Sequence, residues 1–173
     1  MDKNIDHLYR LCVGIMIVNK DKEIFIAKRI SNIVDEYWQM PQGGVEPGES
    51  EENAMYRELE EETGICKKDV TILNISKNYF YYNLPTKLIE KVWKGRYIGQ
   101  KQRWYLTEFT GNDNSINLEQ CNPEFSEWKW QKNIMKIPDL VIDFKKDLYQ
   151  DLVEEFSLYL KLYYLANFNE INK

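Results

Sequence analysis

Histidine is nearly missing from this 173-residue chain: His7 is the only one. That scarcity argues against Ser-His-Asp or Cys-His catalysis, and leaves acid–base work to carboxylates, lysines or water activated by a metal. Cysteine is scarce as well. Cys12, Cys66 and Cys121 are odd in number and none sits in a CxxC pair. A disulfide framework or a Cys/His zinc site is therefore not expected, and the thiols read as buried groups in a reducing compartment. No stretch approaches the roughly 18 apolar residues of a membrane span. The start, Met1-Asp2-Lys3-Asn4-Ile5-Asp6, lacks the basic-then-apolar layout of a signal peptide, so a cytoplasmic protein is expected. Positive charge is in deficit, with 23 Lys and Arg against 28 Asp and Glu, a net charge of −5. Coating a long nucleic acid needs the opposite balance, so neither DNA nor a membrane is an expected partner. Recognition of a single polyphosphate end stays compatible with that charge, provided that a hard divalent cation offsets the carboxylates.

What is present is ordinary for a folded domain: 43% hydrophobic and 29% charged residues, in a length suited to one domain. The runs Cys12 to Val18 and Glu23 to Arg29, separated by the polar Asn19-Lys20-Asp21-Lys22, read as a hairpin. Pro41 to Gly48 holds five chain breakers, Pro41, Gly43, Gly44, Pro47 and Gly48, and reads as a loop. A helix is expected from Ser50 as N-cap, with Glu51 and Glu52 in its first turn, to Gly64 just past its end. Further strands are expected over Asp69 to Ser76, Lys87 to Val92, Tyr97 to Phe109 and Trp128 to Trp130. A second helix follows from about Phe144 to Ala166, with Leu148, Leu152, Phe156, Tyr159 and Tyr163 at helical spacing. Strands, helix, strands, helix imply a mixed sheet packed between helices. The domain is placed at residues 8–156, and 157–173 are expected to be the end of the last helix with a fraying tail.

The chemistry is concentrated between Gly43 and Ile65. After Gly43 come five residues and Glu49, then seven residues and Arg57-Glu58-Leu59, one residue, Glu61-Glu62, one residue, and Gly64-Ile65. Glu58, Glu61 and Glu62 are related as i, i+3 and i+4, which places three carboxylates within roughly 100° of one helix face. A glutamate-rich face is ordinarily just solvated. Like charges at these spacings repel, however, and a cation relieves the repulsion. Magnesium suits such a set, because it prefers oxygen ligands and is commonly completed by substrate phosphates. Gly43 and Gly44 let the backbone approach the metal and phosphates closely.

This stretch resembles the Nudix box, Gly-x5-Glu-x7-Arg-Glu-U-x-Glu-Glu-x-Gly-U with U a bulky aliphatic residue, at every defined position. Seven fixed residues at roughly 6–7% usage each make a chance match on the order of one in 10⁸ per starting point. The resemblance implies an α/β/α Nudix sandwich, an α/β fold, with hydrolysis of a nucleoside diphosphate linked to another group. It implies Glu58, Glu61 and Glu62 as metal ligands, joined by Gly43, with Arg57 orienting the carboxylates. Glu49, Gly44 and Gly64 are implied as structural members of the motif. The cofactor implied is a divalent cation, magnesium or manganese. Which glutamate takes a proton from water is left open between Glu62 and Glu61.

The flanks resemble the bacterial RNA 5′-pyrophosphohydrolase family, which overlaps with dinucleoside polyphosphate hydrolases. The residues carrying this are Tyr9-Arg10 with Val13-Gly14-Ile15, Trp38 to Gly44, Gly99 to Tyr105, Pro123 to Trp130, and Phe144-Lys145-Lys146. By that resemblance Glu124 adds a carboxylate to the metal cluster. Arg10, Arg29 and Lys145 are suited to phosphates, Gln100, Lys101 and Gln102 to the polyphosphate or backbone, and Phe144 with Arg29 to sandwiching the first base. Trp38, Trp104, Trp128 and Trp130 read instead as packing residues. The segment 87–96 lies where the family varies, so no contacts carry over to it. The expected activity is removal of pyrophosphate from the 5′ end of triphosphorylated RNA, leaving a monophosphate and promoting decay. Hydrolysis of diadenosine tetraphosphate is the alternative, and a non-catalytic RNA- or protein-binding module is the reading from another class. A stimulating protein partner is not legible.

Overall fold

The computed structural model describes residues 5–31, 36–120 and 122–171, the side chains of 168–171 excepted. Its centre is a parallel pair. Strand β1 (Tyr9–Val18) runs beside β7 (Gly99–Phe109) in unbroken register from Tyr9 opposite Gly99 to Val18 opposite Glu108. Around this pair lie β2 (Ile24–Arg29), β3 (Tyr37–Gln39), β4 (Gln42–Gly44), β5 (Val70–Ile75), β6 (Phe80–Asn83) and β8 (Phe125–Gln131) in a sheet of order β3-β2-β1-β7-β5. Strands β4, β6 and β8 attach to β1, β7 and β2 in turn.

Side chains alternate across a strand, so β1 feeds two cores at once. Val13, Ile15 and Ile17 meet Ala54, Met55 and Leu59 of α1 (Glu51–Thr63) on one face. Met16 and Val18 share the opposite core with Leu148, Leu152 and Phe156 of α3 (Lys146–Ile171). These are the layers expected, a mixed sheet between helices. Close packing also explains Gly14: a Cβ there would overlap the indole of Trp104, which is fully buried.

The caps of α1 are as expected. Ser50 Oγ accepts from the Asn53 N–H at 3.2 Å, and Gly64 takes the left-handed φ of 73° that favours glycine. Several expectations need correction. Residues 87–92 are not a strand: α2 covers Thr86–Ile89, and a 3-10 turn follows at Trp93–Gly95. Leu88, Ile89, Val92 and Trp93 all pack toward the α3-side core, which a helical turn allows and a strand with alternating faces does not. The loop expected at 41–48 contains β4, because Gly43 and Gly44 can lie flat against Val13 and Cys12. Strands β3 and β6, too short for a periodic signal, were not anticipated. Phe144 lies in a 3-10 turn (Asp143–Lys145) before α3, and α3 continues as helix past Asn167 to Ile171.

Cys12 is buried, and burial pushes its thiol pKa up to about 12; Cys66 is half-buried, and both are unpaired. Cys121 lies outside the described residues, as do parts of the amino-terminal start and of the tail. Among the described residues no helix is long and apolar enough to cross a membrane.

Candidate active site

Arg57 is the hub from which the site is built. Its Nε and Nη2 donate to the two oxygens of Glu49 at 2.9 and 2.8 Å, and Nη2 also donates to the Gly44 carbonyl at 2.8 Å. Nη1 donates to Glu58 at 2.7 Å and to Glu61 at 3.1 Å. One planar guanidinium thus ties the loop, the start of α1 and two carboxylates of its later turns into one unit. The fork holds the Glu49 carboxyl below its usual range.

The three box glutamates sit at three depths. Glu61 is exposed, Glu58 is mostly covered, and Glu62 is buried at 4% relative exposure. A Cβ on Gly43 would fall on the Glu58 carboxyl, so glycine is what lets that group seat against the loop. Glu62 Oε2 accepts from the Gln42 N–H at 2.8 Å, whereas Oε1 has no hydrogen-bond partner, and Arg29 stands 3.7 Å from it. Burial raises the Glu62 pKa to about 8, against the opposing pull of the Gln42 N–H and Arg29. Burial likewise raises Glu58, with Arg57 opposing. Arg29, at the end of β2, also pairs with Glu124 from the loop before β8.

A cavity of about 420 Å³ opens beside these groups. Gly43, Gly44, Glu58 and Glu124 line it, together with the expected substrate residues Arg10, Arg29, Gln100, Phe144 and Lys145. Lys145 is buried at 3% exposure, and its ammonium donates to Gln39 Oε1 at 2.9 Å. Burial, and then the nearby Arg29 charge, bring its pKa down to about 7. Phe144 tilts against Tyr82 with ring centroids 5.6 Å apart.

The structure does not bring Lys101 to this cavity. Gln100 and Gln102 face the Arg10 side of the sheet, so the residue between them points to the other face. There Lys101 pairs with Asp6 at 2.5 Å and covers the Tyr79 ring at 4.4 Å. Gln102 is fully buried, donating to Gln42 and Gln100 and accepting from the Trp104 indole N–H. Glu61 and Glu62 do not line the cavity. Sequence reasoning missed Tyr37, Gln39, Gln42 and Tyr82 as lining residues, although Gln39 and Gln42 belong to the stretch singled out before the box. It also missed Leu88, Val92 and Trp93.

The donor set fits a hard divalent cation. All the donors are oxygens, one buried Glu62 oxygen has no hydrogen-bond partner, and Gly43 opens a cradle for Glu58. In this arrangement the carboxylates are turned toward Arg57 and Arg29. Among the described residues no three acidic, histidine or cysteine side chains already converge on one point.

The model of the NUDIX domain matches residues 8–151. A protein of Wolbachia pipientis subsp. Culex pipiens named RNA pyrophosphohydrolase is 50% identical over 154 residues, which are 88% of this chain and 92% of that protein. One of the same name from Pelagibacter ubique is 46% identical, over 89% of this chain and 95% of that protein. A C. elegans Ap4A hydrolase binary complex superposes with a TM-score of 0.66 at 24% identity, over 88% of this chain and 98% of that one, a likeness of fold alone. With the box geometry on α1 and a match spanning most of its length, this chain belongs to the NUDIX domain family.

Proposed function

We propose that this chain is an RNA pyrophosphohydrolase, which releases pyrophosphate from the 5′-triphosphate end of RNA and leaves a 5′-monophosphate. The observation carrying this reading is the cavity itself, where Arg10, Arg29 and Lys145 stand beside Gly43 and Glu58. Relatives bearing the name RNA pyrophosphohydrolase at 46–50% identity support the same substrate. Nudix hydrolases generally use a divalent metal ion, and in this reading the ion is magnesium, with manganese as a substitute.

Glu58, Glu61, Glu62, Glu124 and the Gly43 carbonyl would hold the ion. When bound, the ion supplies Lewis acidity and neutralises charge on the phosphoryl oxygens. The protein's own part is orientation. Arg57 fixes Glu58 and Glu61, while Arg10, Arg29 and Lys145 bind phosphate oxygens, and Phe144 offers its ring to an unpaired base. Of the two glutamates considered as proton acceptor, Glu62 is favoured, because its buried Oε1, near Arg29, accepts no hydrogen bond.

The test is release of pyrophosphate from a short 5′-triphosphorylated RNA with magnesium, against diadenosine tetraphosphate at equal concentration, with Glu62→Gln as the blank. RNA as the better substrate, with a dead variant and loss of turnover on chelation, supports the proposal. Preference for the dinucleotide rejects the RNA reading but keeps the hydrolase. Turnover indifferent to chelator and to Glu62→Gln rejects both.

A further inference from the structure

Segment 86–96 supplies one wall of the cavity through Leu88, Val92 and Trp93. Trp93 is the unusual member. Its φ is 51°, followed by Lys94 at 56° and Gly95 at 73°. Two consecutive non-glycine residues in the left-handed region, one of them bulky, persist only where the surroundings hold them. Packing against the α3-side core covers only part of the Trp93 ring, which stays partly exposed and meets Tyr97 edge-on at 6.1 Å. The ring also faces a cation: the guanidinium carbon of Arg10 lies 5.5 Å from its centroid, within cation–π range. The same guanidinium lies so close to Gly44 that a Cβ there would overlap it. Among the described residues Arg10 makes no ion pair; the Trp93 indole and the Gly44 backbone flank its guanidinium, and the Glu58 carboxylate is near enough to feel its charge.

We propose that Trp93 is a positioning residue for phosphate recognition. Its indole holds the Arg10 guanidinium against Gly44, presenting the N–H fork to the oxygens of a polyphosphate in the cavity. The inference rests on the reading of this cavity as a polyphosphate site. It gives segment 86–96 a role in binding rather than in the bond-breaking step. A planar guanidinium has many rotamers to lose on meeting a phosphate, and a stacked one has already lost them.

The test uses the full chain with Trp93→Ala, Trp93→Phe, Trp93→Leu, Arg10→Ala and the Arg10→Ala/Trp93→Ala double variant. Two quantities are read: kinetics on 5′-triphosphorylated RNA, and equilibrium binding of inorganic tripolyphosphate, which has no base. Trp93→Ala should raise KM and weaken tripolyphosphate binding by about fivefold each, with kcat near wild type. Trp93→Phe should recover most of this, and Trp93→Leu, which keeps an apolar wall without a π face, should not. In the Arg10→Ala background, Trp93→Ala should have no further effect, since both act through one guanidinium. Additive losses, or Leu equal to Phe, overturn the proposal. So does a loss confined to RNA with tripolyphosphate binding intact, which would mean that the indole stacks on a base. If the unaltered chain neither cleaves the RNA nor binds tripolyphosphate, the functional reading itself fails, and the inference falls with it.

Discussion

Arg57→Lys separates charge from geometry in the hub of the box. The ammonium keeps the positive charge, but it is a point donor on a flexible stem and cannot span acceptors on three sides. In the structure the guanidinium reaches Glu49 through two nitrogens, Glu58 and Glu61 through a third, and the Gly44 carbonyl as well. A lysine can keep the contact with one or two of these groups. The lost bonds are charge-assisted, and the side chain is 24% exposed, so the net cost should be about 2 kcal/mol. For a domain of this size that corresponds to a fall in melting temperature of roughly 4–8 °C. Activity should suffer more. Releasing Glu58 and Gly44 from a common anchor shifts the carboxylate and the loop relative to each other, and misplacement of about 1 Å costs on the order of 100-fold in kcat/KM. Thermal melts and steady-state hydrolysis of triphosphorylated RNA, over a magnesium titration, measure both. A lysine variant with wild-type melting and turnover would refute the argument that the fork, rather than its charge, organises the site.

Other outcomes follow from the same geometry. Gly43→Ala places a methyl on the Glu58 carboxyl, the movable end of a side chain. The melting temperature should stay close to wild type while kcat/KM drops on the order of 100-fold, and unchanged turnover would show that Glu58 need not seat against the loop. Lys145 makes a pH prediction. Its folded pKa is depressed to about 7, whereas an unfolded lysine titrates near 10.4. A depressed folded value gives stability that is fully present above the unfolded pKa and lost as pH falls through the folded one. In metal-free protein stability should therefore rise between pH 7 and about 10 through this group. Lys145→Met should flatten that rise, as read by denaturant melts at the two ends of the window; parallel slopes would contradict it.

How much of this was legible beforehand depends on how local the cause is. Helix α1 could be drawn from sequence because its determinants are its own: Ser50 and Gly64 at the ends, acidic residues in the first turn, and the spacing of Glu58, Glu61 and Glu62. The arrangement of the box carboxylates was legible for the same reason, since a helix fixes the relation of i, i+3 and i+4 side chains without help from elsewhere. Periodicity also found β1, β2, β5, β7 and most of α3. It failed at residues 87–92, where β-branched and apolar residues suit a strand or a short helix equally, and only contact with the α3-side core chooses between them. It failed again at Lys101, whose neighbours Gln100 and Gln102 share its polar character. Alternation says that they face opposite ways but not which way is the cavity.

That choice comes from the parallel pairing of β1 with β7, ninety residues apart in the chain, which sets Arg10 opposite Gln100. The same long-range pairing explains the depth of Glu62. Its spacing on α1 says nothing of burial, and it is Gln42 and Arg29, on strands folded over it, that close off its oxygens. Trp93 beside Arg10 is the extreme case, a contact between an irregular turn and a strand that no local pattern announces. The composition and helix spacing of this chain carry its chemistry. Which cations meet it, and at what depth, follows from strand pairing across the whole fold, because residues distant in sequence are placed together only by the sheet register and by the core that the sheet shares with α1 and α3.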